Sequence, residues 1–159
     1  AKQWPVDSFA AVASWWAERG GEVVTVGTES EAVLGEVIRH KIPDSVNLCG
    51  KTTLEQLMAV LQTSSACVAN DSGVMHLAAR MGIPGVALFG STNPQATGPL
   101  GAPWVVLSAD VPCAPCFHRR CPLNSDRYAC LRKIGPDQAI EALRFLETES
   151  CYRILKSDA

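Results

Sequence analysis

The sequence predicts an α/β domain built on a doubly wound parallel sheet. Short β-branched runs alternate along the chain with longer segments in which apolar residues recur every three or four positions. The run 85–89 carries no charge, which is typical of a strand covered on both faces. Strands that alternate with helices are joined by crossover connections, so we expect all the strands to be parallel, with helices on both faces.

Five strands and five helices are predicted. The strands are 22–26, 46–49, 66–69, 85–89 and 104–107, and the helices are 4–19, 31–38, 53–61, 73–81 and about 136–148. A sheet of this kind normally opens on a strand that lies at its centre, whereas this sequence opens on a helix. We therefore expect a first strand to be missing from residues 1–159. We also expect a gap at the centre of the sheet, where that strand belongs.

Length and composition indicate a single domain. A chain of 159 residues with 47% hydrophobic residues can bury one substantial core. The formal net charge of −2 gives no basic footprint, which argues against nucleic acid as a partner. No apolar run approaches the roughly 20 residues that cross a bilayer, and no signal-peptide pattern is present, so the expected location is cytoplasmic.

Seven cysteines are many for such a chain, but a disulfide framework is not expected in a reducing compartment. Cys49 and Cys67 fall in strand-like runs, where cysteine usually behaves as a small buried apolar residue. Four more lie in a cysteine-rich loop at 112–131, namely Cys113, Cys116, Cys121 and Cys130. Four thiolates can hold a structural zinc ion, with His118 as a substitute ligand. Cys113 and Cys116 form one C-x₂-C pair, but the second such pair of a typical zinc site is absent. Reduced thiols or a disulfide are therefore the alternatives.

The strongest functional signal is the junction between strand 66–69 and helix 73–81, with the sequence Asn70-Asp71-Ser72-Gly73. Ligands of open α/β sheets bind at the carboxyl ends of strands, and the free N–H groups at a helix N-terminus attract a diphosphate. His76, on the first turn of the same helix, is placed to donate to a phosphate oxygen. The alternatives are that Asp71 or Ser72 merely caps the helix and that His76 is an ordinary helix residue.

Two further polar patches follow strands at the same edge of the sheet. Residues 90–94, Gly-Ser-Thr-Asn-Pro, follow strand 85–89, and a polar turn is the alternative interpretation. Gly27-Thr28-Glu29 follows strand 22–26, and an acidic residue there often binds ribose hydroxyls. Glu29 is equally suited to be an ordinary first-turn acid of its helix.

These segments together resemble, in order and spacing, the C-terminal domain of the ADP-heptose:lipopolysaccharide heptosyltransferase family, glycosyltransferase family 9. The resemblance covers nearly the whole chain. It rests on residues 2–5 (KQWP), 27–29 (GTE), 51–54 (KTTL), 70–73 (NDSG) with His76, 89–92 (FGST) and 97–99 (TGP). The cysteine-rich loop, with Phe117, Arg119 and Pro122, looks most like that of heptosyltransferase II.

The resemblance implies a GT-B enzyme, in which two Rossmann-like domains face each other across a cleft and the C-terminal one holds the nucleotide sugar. Transfer is inverting and needs no metal or cofactor, with ADP-heptose as the donor substrate. Residues 1–159 then form one donor-binding domain, and the general base lies in an N-terminal domain outside them. That domain would also meet the acceptor, the lipid A-core, at the inner face of the inner membrane.

The resemblance also implies roles for individual residues. Lys2 is the candidate cation for the leaving diphosphate, together with the Ser72 and Gly73 amides and with His76. Asp71 contacts the heptose or organises the loop. Glu29 holds the ribose, and Thr52 belongs to the segment 48–52 that flanks the adenine. Without the resemblance, a lysine so close to a terminus would be read as a solvated surface charge.

Two other functions fit the same residues. A GT-B glycosyltransferase with a different nucleotide sugar is one, because the junction at Asp71 and its neighbouring loops suit any diphosphate donor. A non-catalytic nucleotide-binding or interaction module is the other. If the chain is the donor-binding half of a heptosyltransferase, it is expected not to transfer heptose alone, because catalysis needs two domains to close over donor and acceptor.

Overall fold

Five short parallel strands form two separate sheets in the computed structural model, which describes the backbone of residues 2–156 and the side chains of residues 2–148. Strand β1 (Val24–Thr25) pairs with β2 (Val46–Asn47). Strands β3 (Cys67–Asn70), β4 (Gly85–Phe89) and β5 (Trp104–Ser108) form the second sheet in that order. Every pairing is parallel, as the alternation of strands and helices predicts.

Seven α-helices precede, connect or follow the strands in the described chain. They are α1 (Val6–Glu18), α2 (Ala32–Lys41), α3 (Leu54–Gln62), α4 (Gly73–Arg80), α5 (Pro94–Thr97), α6 (Ala129–Arg132) and α7 (Pro136–Lys156). A 3₁₀ turn, Glu29–Glu31, leads into α2. No helix in the described part of the chain combines the length and the apolar character that a membrane span requires.

Strand β4 shows why the chain forms a layered α/β domain. All five of its residues are buried, and they alternate between the two faces of the sheet. Val86 and Leu88 pack into a cluster with residues of α1 and α7, such as Val12 and Leu143. Ala87 and Phe89 pack on the opposite side with Met75 of α4, among other residues. A strand covered on both faces has no place for a charged side chain, which explains its uncharged sequence.

A deep cleft of about 1330 Å³ separates the two sheets. Its walls include residues 23–26 of the β1 segment and 66–70 of the β3 segment. Each of these strands pairs with a described neighbour on one side only, so their other edges border the cleft. The cleft therefore lies between the unpaired edge of β1 and the unpaired edge of β3.

All ten predicted elements are present, with differences at their ends. The predicted strand 22–26 is shortened to Val24–Thr25 and the strand 46–49 to Val46–Asn47, because these two segments pair only with each other in the described chain. Helix α1 begins at Val6, after Pro5. Helix α7 extends beyond the predicted end, to Lys156.

Helices α5 and α6 fall in segments that the sequence analysis left as loops. The start of α5 carries a recognisable signal, since the Asn93 side chain accepts a hydrogen bond from the Gln95 N–H at 3.0 Å and Pro94 follows at the first helical position. Helix α6 has no such cap and follows Tyr128, whose φ is +59°. Its Ala129, Cys130 and Leu131 are buried, so tertiary packing rather than a local signal stabilises this turn.

Candidate functional site

Asp71 is the centre of a polar network at the carboxyl end of β3. Its side chain is almost fully buried, and its Oδ2 accepts hydrogen bonds from Lys2 Nζ at 2.5 Å and from Thr92 Oγ1 at 2.7 Å. Its Oδ1 lies 4.0 Å from Nε2 of His76. Three side chains therefore lie around one carboxylate: a lysine from the start of the chain, a histidine from α4 and a threonine from the loop after β4.

Lys2 is held in this place by the residues that follow it. The backbone N–H of Trp4 donates to Oδ1 of Asn70 at 2.9 Å. The Trp4 indole, only 1% exposed, donates through Nε1–H to the carbonyl of Ile134 at 2.9 Å. Lys2 is thus not a free surface charge: its side chain is half-exposed, but the anchored segment directs its ammonium group to Asp71.

Helix α4 begins beside this network with an uncapped first turn. Ser72 occupies the N-cap position, but its side chain makes no capping hydrogen bond, and the Asp71 carboxylate is directed to Lys2 and Thr92. The interpretation of these two residues as simple helix caps therefore does not hold. The first N–H groups of an uncapped helix have no partner within it and carry the positive end of the helix dipole.

Gly73 leaves open space in front of this first turn. A Cβ atom built at Gly73 would meet no other atom within 4 Å, and Ser72, Gly73 and His76 all line the cleft. An anion can thus approach the backbone N–H groups of α4 closely. The residues placed to receive it are the Lys2 ammonium, the His76 imidazole and the α4 amides.

The loops after β1 and β2 meet each other at the other wall of the cleft. Gly50, with φ +70°, donates its N–H to the Gly27 carbonyl at 2.9 Å, and a Cβ there would lie 2.7 Å from Cα of Glu29. Thr52 lines the cleft, whereas Glu29 is exposed on the adjoining turn. The segments assigned by resemblance to ribose and adenine therefore lie side by side.

Glu31 has a local structural role that the sequence analysis did not identify. Its carboxylate accepts hydrogen bonds from the Thr28 N–H at 2.8 Å and the Thr28 hydroxyl at 2.7 Å, which completes a capping box. A threonine followed three positions later by a glutamate is the sequence signal of this capping box. Because Glu31 forms the capping box, Glu29 is the acidic side chain of the turn that takes no part in the cap.

The predicted site residues thus fall into two groups. In the first group, Lys2 contacts Asp71 directly, and Nε2 of His76 lies 4.0 Å from Oδ1 of Asp71. Ser72 and Gly73 adjoin these residues and line the cleft. Thr52 belongs to the facing wall, and Glu29 lies on the exposed turn beside it. Thr92 and Asn70 complete the first group, Thr92 by bonding Asp71 and Asn70 by fixing Trp4.

The four cysteines of the cysteine-rich loop are free thiols. Burial raises the pKa of the Cys130 thiol, and Cys113, Cys116 and Cys121 raise it further. A hydrogen bond from the Tyr128 N–H, with Sγ as acceptor at 3.4 Å, lowers the pKa of Cys121. Across the described residues, no three His, Cys, Asp or Glu side chains are arranged to hold a metal ion.

The other two described cysteines lie in the α/β core. Cys49 is buried and Cys67 partly buried, as expected for small apolar residues. Burial raises the pKa of both thiols, to about 12 for Cys67. Both are therefore protonated at neutral pH and poorly reactive.

The chain is similar in sequence and in fold to known proteins. The family described as glycosyltransferase family 9 (heptosyltransferase) matches residues 1–126. Lipooligosaccharide heptosyltransferase 2 of Haemophilus influenzae is 39% identical over 105 residues, which is 63% of this chain and 30% of that protein. Lipopolysaccharide heptosyltransferase 1 of Pseudomonas aeruginosa is 35% identical over 130 residues, 79% of this chain and 36% of that protein.

Two solved structures share the fold. The ADP-heptose lipopolysaccharide heptosyltransferase II of Escherichia coli superposes with a TM-score of 0.76 and 28% identity, covering 100% of this chain and 44% of that one. A glycosyltransferase family 9 protein of Veillonella parvula gives a TM-score of 0.77 and 28% identity, covering 93% and 42%. The chain thus spans less than half of each of these four proteins, and its fold is that of the GT-B heptosyltransferases. By its sequence over residues 1–126 and by its fold, the chain belongs to glycosyltransferase family 9, the heptosyltransferase family.

Proposed function

We propose that this chain is the donor-binding domain of a heptosyltransferase that transfers heptose from ADP-heptose to the inner core of lipopolysaccharide. The observation that carries the proposal is the convergence of Lys2, His76 and the uncapped start of α4 around the buried Asp71 carboxylate. The choice of heptose as the transferred sugar rests on the names of the relatives. Several are heptosyltransferases of lipopolysaccharide or lipooligosaccharide, and one is described as an ADP-heptose enzyme.

The reaction is proposed as an inverting displacement. An acceptor hydroxyl oxygen attacks the anomeric carbon of the donor, and the bond from that carbon to the diphosphate oxygen breaks. The bonding electrons stay on ADP, so negative charge grows on the diphosphate as the new glycosidic bond forms. A general base, expected in the facing domain, takes the proton of the acceptor hydroxyl.

The residues of this chain act on the leaving group. Lys2 and the N–H groups of Ser72 and Gly73 face the growing charge, and such pre-arranged donors stabilise a transition state without further reorganisation. His76 donates a further hydrogen bond to a phosphate oxygen. Asp71 fixes the position of the Lys2 ammonium group, which otherwise has many rotamers. With a protein cation in this role, the proposed reaction uses no metal.

The nucleotide is proposed to lie across the cleft mouth, with its diphosphate at α4 and its adenosine at the facing wall. Glu29 binds the ribose hydroxyls and Thr52 belongs to the wall beside the adenine. The acceptor is a lipid-linked saccharide, so the whole enzyme works from the cytoplasm at the inner face of the membrane in which that lipid lies.

We expect ADP to raise the melting temperature of the 159-residue chain more than UDP or GDP does. A ligand that binds only the native state stabilises it by RT ln(1 + [L]/Kd), about 2.7 kcal/mol at a hundredfold excess over Kd. Thermal shift and calorimetry with the three nucleotides measure the preference. Equal or tighter binding of UDP would favour a GT-B enzyme with another donor, and binding of ADP without transfer in any two-domain form would favour the non-catalytic module.

We also expect Gly73→Val to weaken ADP binding at least tenfold while leaving the fold intact. The space beside Gly73 is open, so the isopropyl group would stand where the diphosphate approaches the α4 amides. Gly135→Val is the matched control, because a Cβ there meets only the end of the Gln138 side chain and lies at the start of α7. Unchanged ADP affinity in Gly73→Val, measured by calorimetry, would place the diphosphate elsewhere.

A further inference from the structure

Positive charge is concentrated in one segment of an otherwise acidic chain. Residues 112–133, here called the basic segment, hold five basic residues and one acidic residue. The basic residues are Arg119, Arg120, Arg127, Arg132 and Lys133, and the acidic one is Asp126. The whole chain has 14 basic and 16 acidic residues, so nine basic and fifteen acidic residues remain outside the segment. The segment carries a formal charge of +4 and the rest of the chain −6.

Much of this charge is presented to solvent. Arg119, Arg120, Arg127, Arg132 and Lys133 are all exposed. Within the segment, Arg132 forms an ion pair with Asp126, and the Arg127 guanidinium lies 5.7 Å from the centre of the Tyr128 ring. Since Asp126 is the only acid of the segment, the exposed charged side chains of the segment carry a net positive charge.

Two large apolar side chains project from the same segment. Phe117 is 67% exposed and Leu123 is 38% exposed. The backbone of Phe117 has φ +57°, a conformation that costs energy for a residue with a Cβ atom. Its N–H donates to the carbonyl of Ser91 at 2.7 Å, so the backbone is anchored to the domain while the ring remains in solvent.

The same hydrogen bond places the basic segment beside the candidate donor site. Ser91 follows β4 after Gly90, at the edge of the sheet where Asp71 follows β3, and its neighbour Thr92 bonds to Asp71. A surface that contacts the basic segment would therefore lie next to the mouth in which the donor is proposed to bind.

We propose that the basic segment docks the domain on an anionic lipid surface. Its basic side chains contact acidic head groups, and Phe117 and Leu123 insert among them. The proposal rests on the proposed function for its biological setting, since a lipid-linked acceptor must meet the donor at such a surface. Basic residues interleaved with exposed apolar side chains are typical of proteins that lie on membranes. A nucleic acid is the less suitable occupant, because its contacts need the cations but not Leu123.

Sedimentation of the reduced 159-residue chain with vesicles tests the docking. We expect binding to vesicles of phosphatidylcholine with phosphatidylglycerol, weakening as salt rises, and little binding to phosphatidylcholine alone. Arg120→Gln with Lys133→Gln should lower the partition coefficient about 30-fold, as expected for two basic residues near a charged membrane. Arg39→Gln with Lys41→Gln is the matched control, which removes the same charge from α2 and should have little effect.

A second variant examines the apolar contribution. Phe117→Ala should reduce binding to the anionic vesicles and leave the remaining binding more sensitive to salt, because less of the attraction is then hydrophobic. Three results would overturn the proposal. The two charge variants could lose vesicle binding equally, or neutral and anionic vesicles could bind equally. A single-stranded oligonucleotide could also bind more tightly than anionic vesicles. ADP affinity is measured on the same preparations: ADP binding without vesicle binding refutes the docking alone, and vesicle binding without ADP binding refutes the donor site alone.

Discussion

The isolated 159-residue chain is expected to show no detectable heptose transfer, although it should bind ADP. Catalysis in a two-domain glycosyltransferase depends on holding donor and acceptor together, and such positioning contributes on the order of 7–11 kcal/mol to lowering the barrier. Absence of the general base removes a further factor of about 10²–10⁴. Neither effect can be recovered from the donor side under the proposed function, in which Lys2, Asp71 and His76 are assigned to the leaving group.

The assay uses the purified chain with ADP-heptose and a heptosylated Kdo-lipid acceptor. A full-length relative, such as the Escherichia coli heptosyltransferase II, provides the positive control. Calorimetry with ADP on the same preparation shows that the donor site is folded. Turnover comparable to that of the two-domain enzyme would mean that a catalytic base lies within residues 1–159 and that the assignment of roles is wrong.

Lys2→Ala, introduced into an active enzyme that contains this domain, should lower kcat by about 10²–10³-fold, the range seen when one pre-arranged donor is removed from a site of developing negative charge. The affinity for the donor should fall much less, since the charge on the diphosphate is greater in the transition state than in the ground state. Steady-state kinetics that separate kcat from KM make the measurement.

Lys2→Arg and Lys41→Ala serve as controls for this prediction. Arginine keeps the charge but changes its geometry, so partial activity is expected. Lys41 pairs with Asp7 on the surface, 2.8 Å away, and its loss should leave the kinetics unchanged. An increase in KM with unchanged kcat in Lys2→Ala would show that the lysine only binds the donor.

The alternation of elements could be predicted from the sequence because it depends on local patterns. The uncharged run Gly85–Phe89 is a strand with the predicted bounds, and Gly73 begins the predicted helix α4. The candidate site at the Asp71 junction is predicted in the same way, since a polar turn between a buried strand and a helix is visible within ten residues. The loops after β1 and β4 were placed at the same edge by the rule that parallel strands share a direction.

The contacts between these segments could not be predicted from local patterns. Lys2 and Asp71 are 69 positions apart, and Trp4 and Ile134 are 130 positions apart. By its sequence alone Lys2 is a terminal surface charge, and only the burial of Trp4 shows that the segment is fixed. The same holds for α6, whose turn is stabilised by packing and lacks a capping signal.

The sequence by itself thus determined the fold class, the family resemblance and the list of residues at the carboxyl edge of the sheet. Hydrophobic periodicity, capping signals and glycine positions act over a few residues, and they are present in the unfolded chain. The tertiary structure decided which of these residues meet, that a cleft separates β1 from β3, and that the basic segment lies beside Ser91. Such contacts depend on how the helices pack on the sheets, because burial and long-range hydrogen bonds arise only when distant segments are brought together.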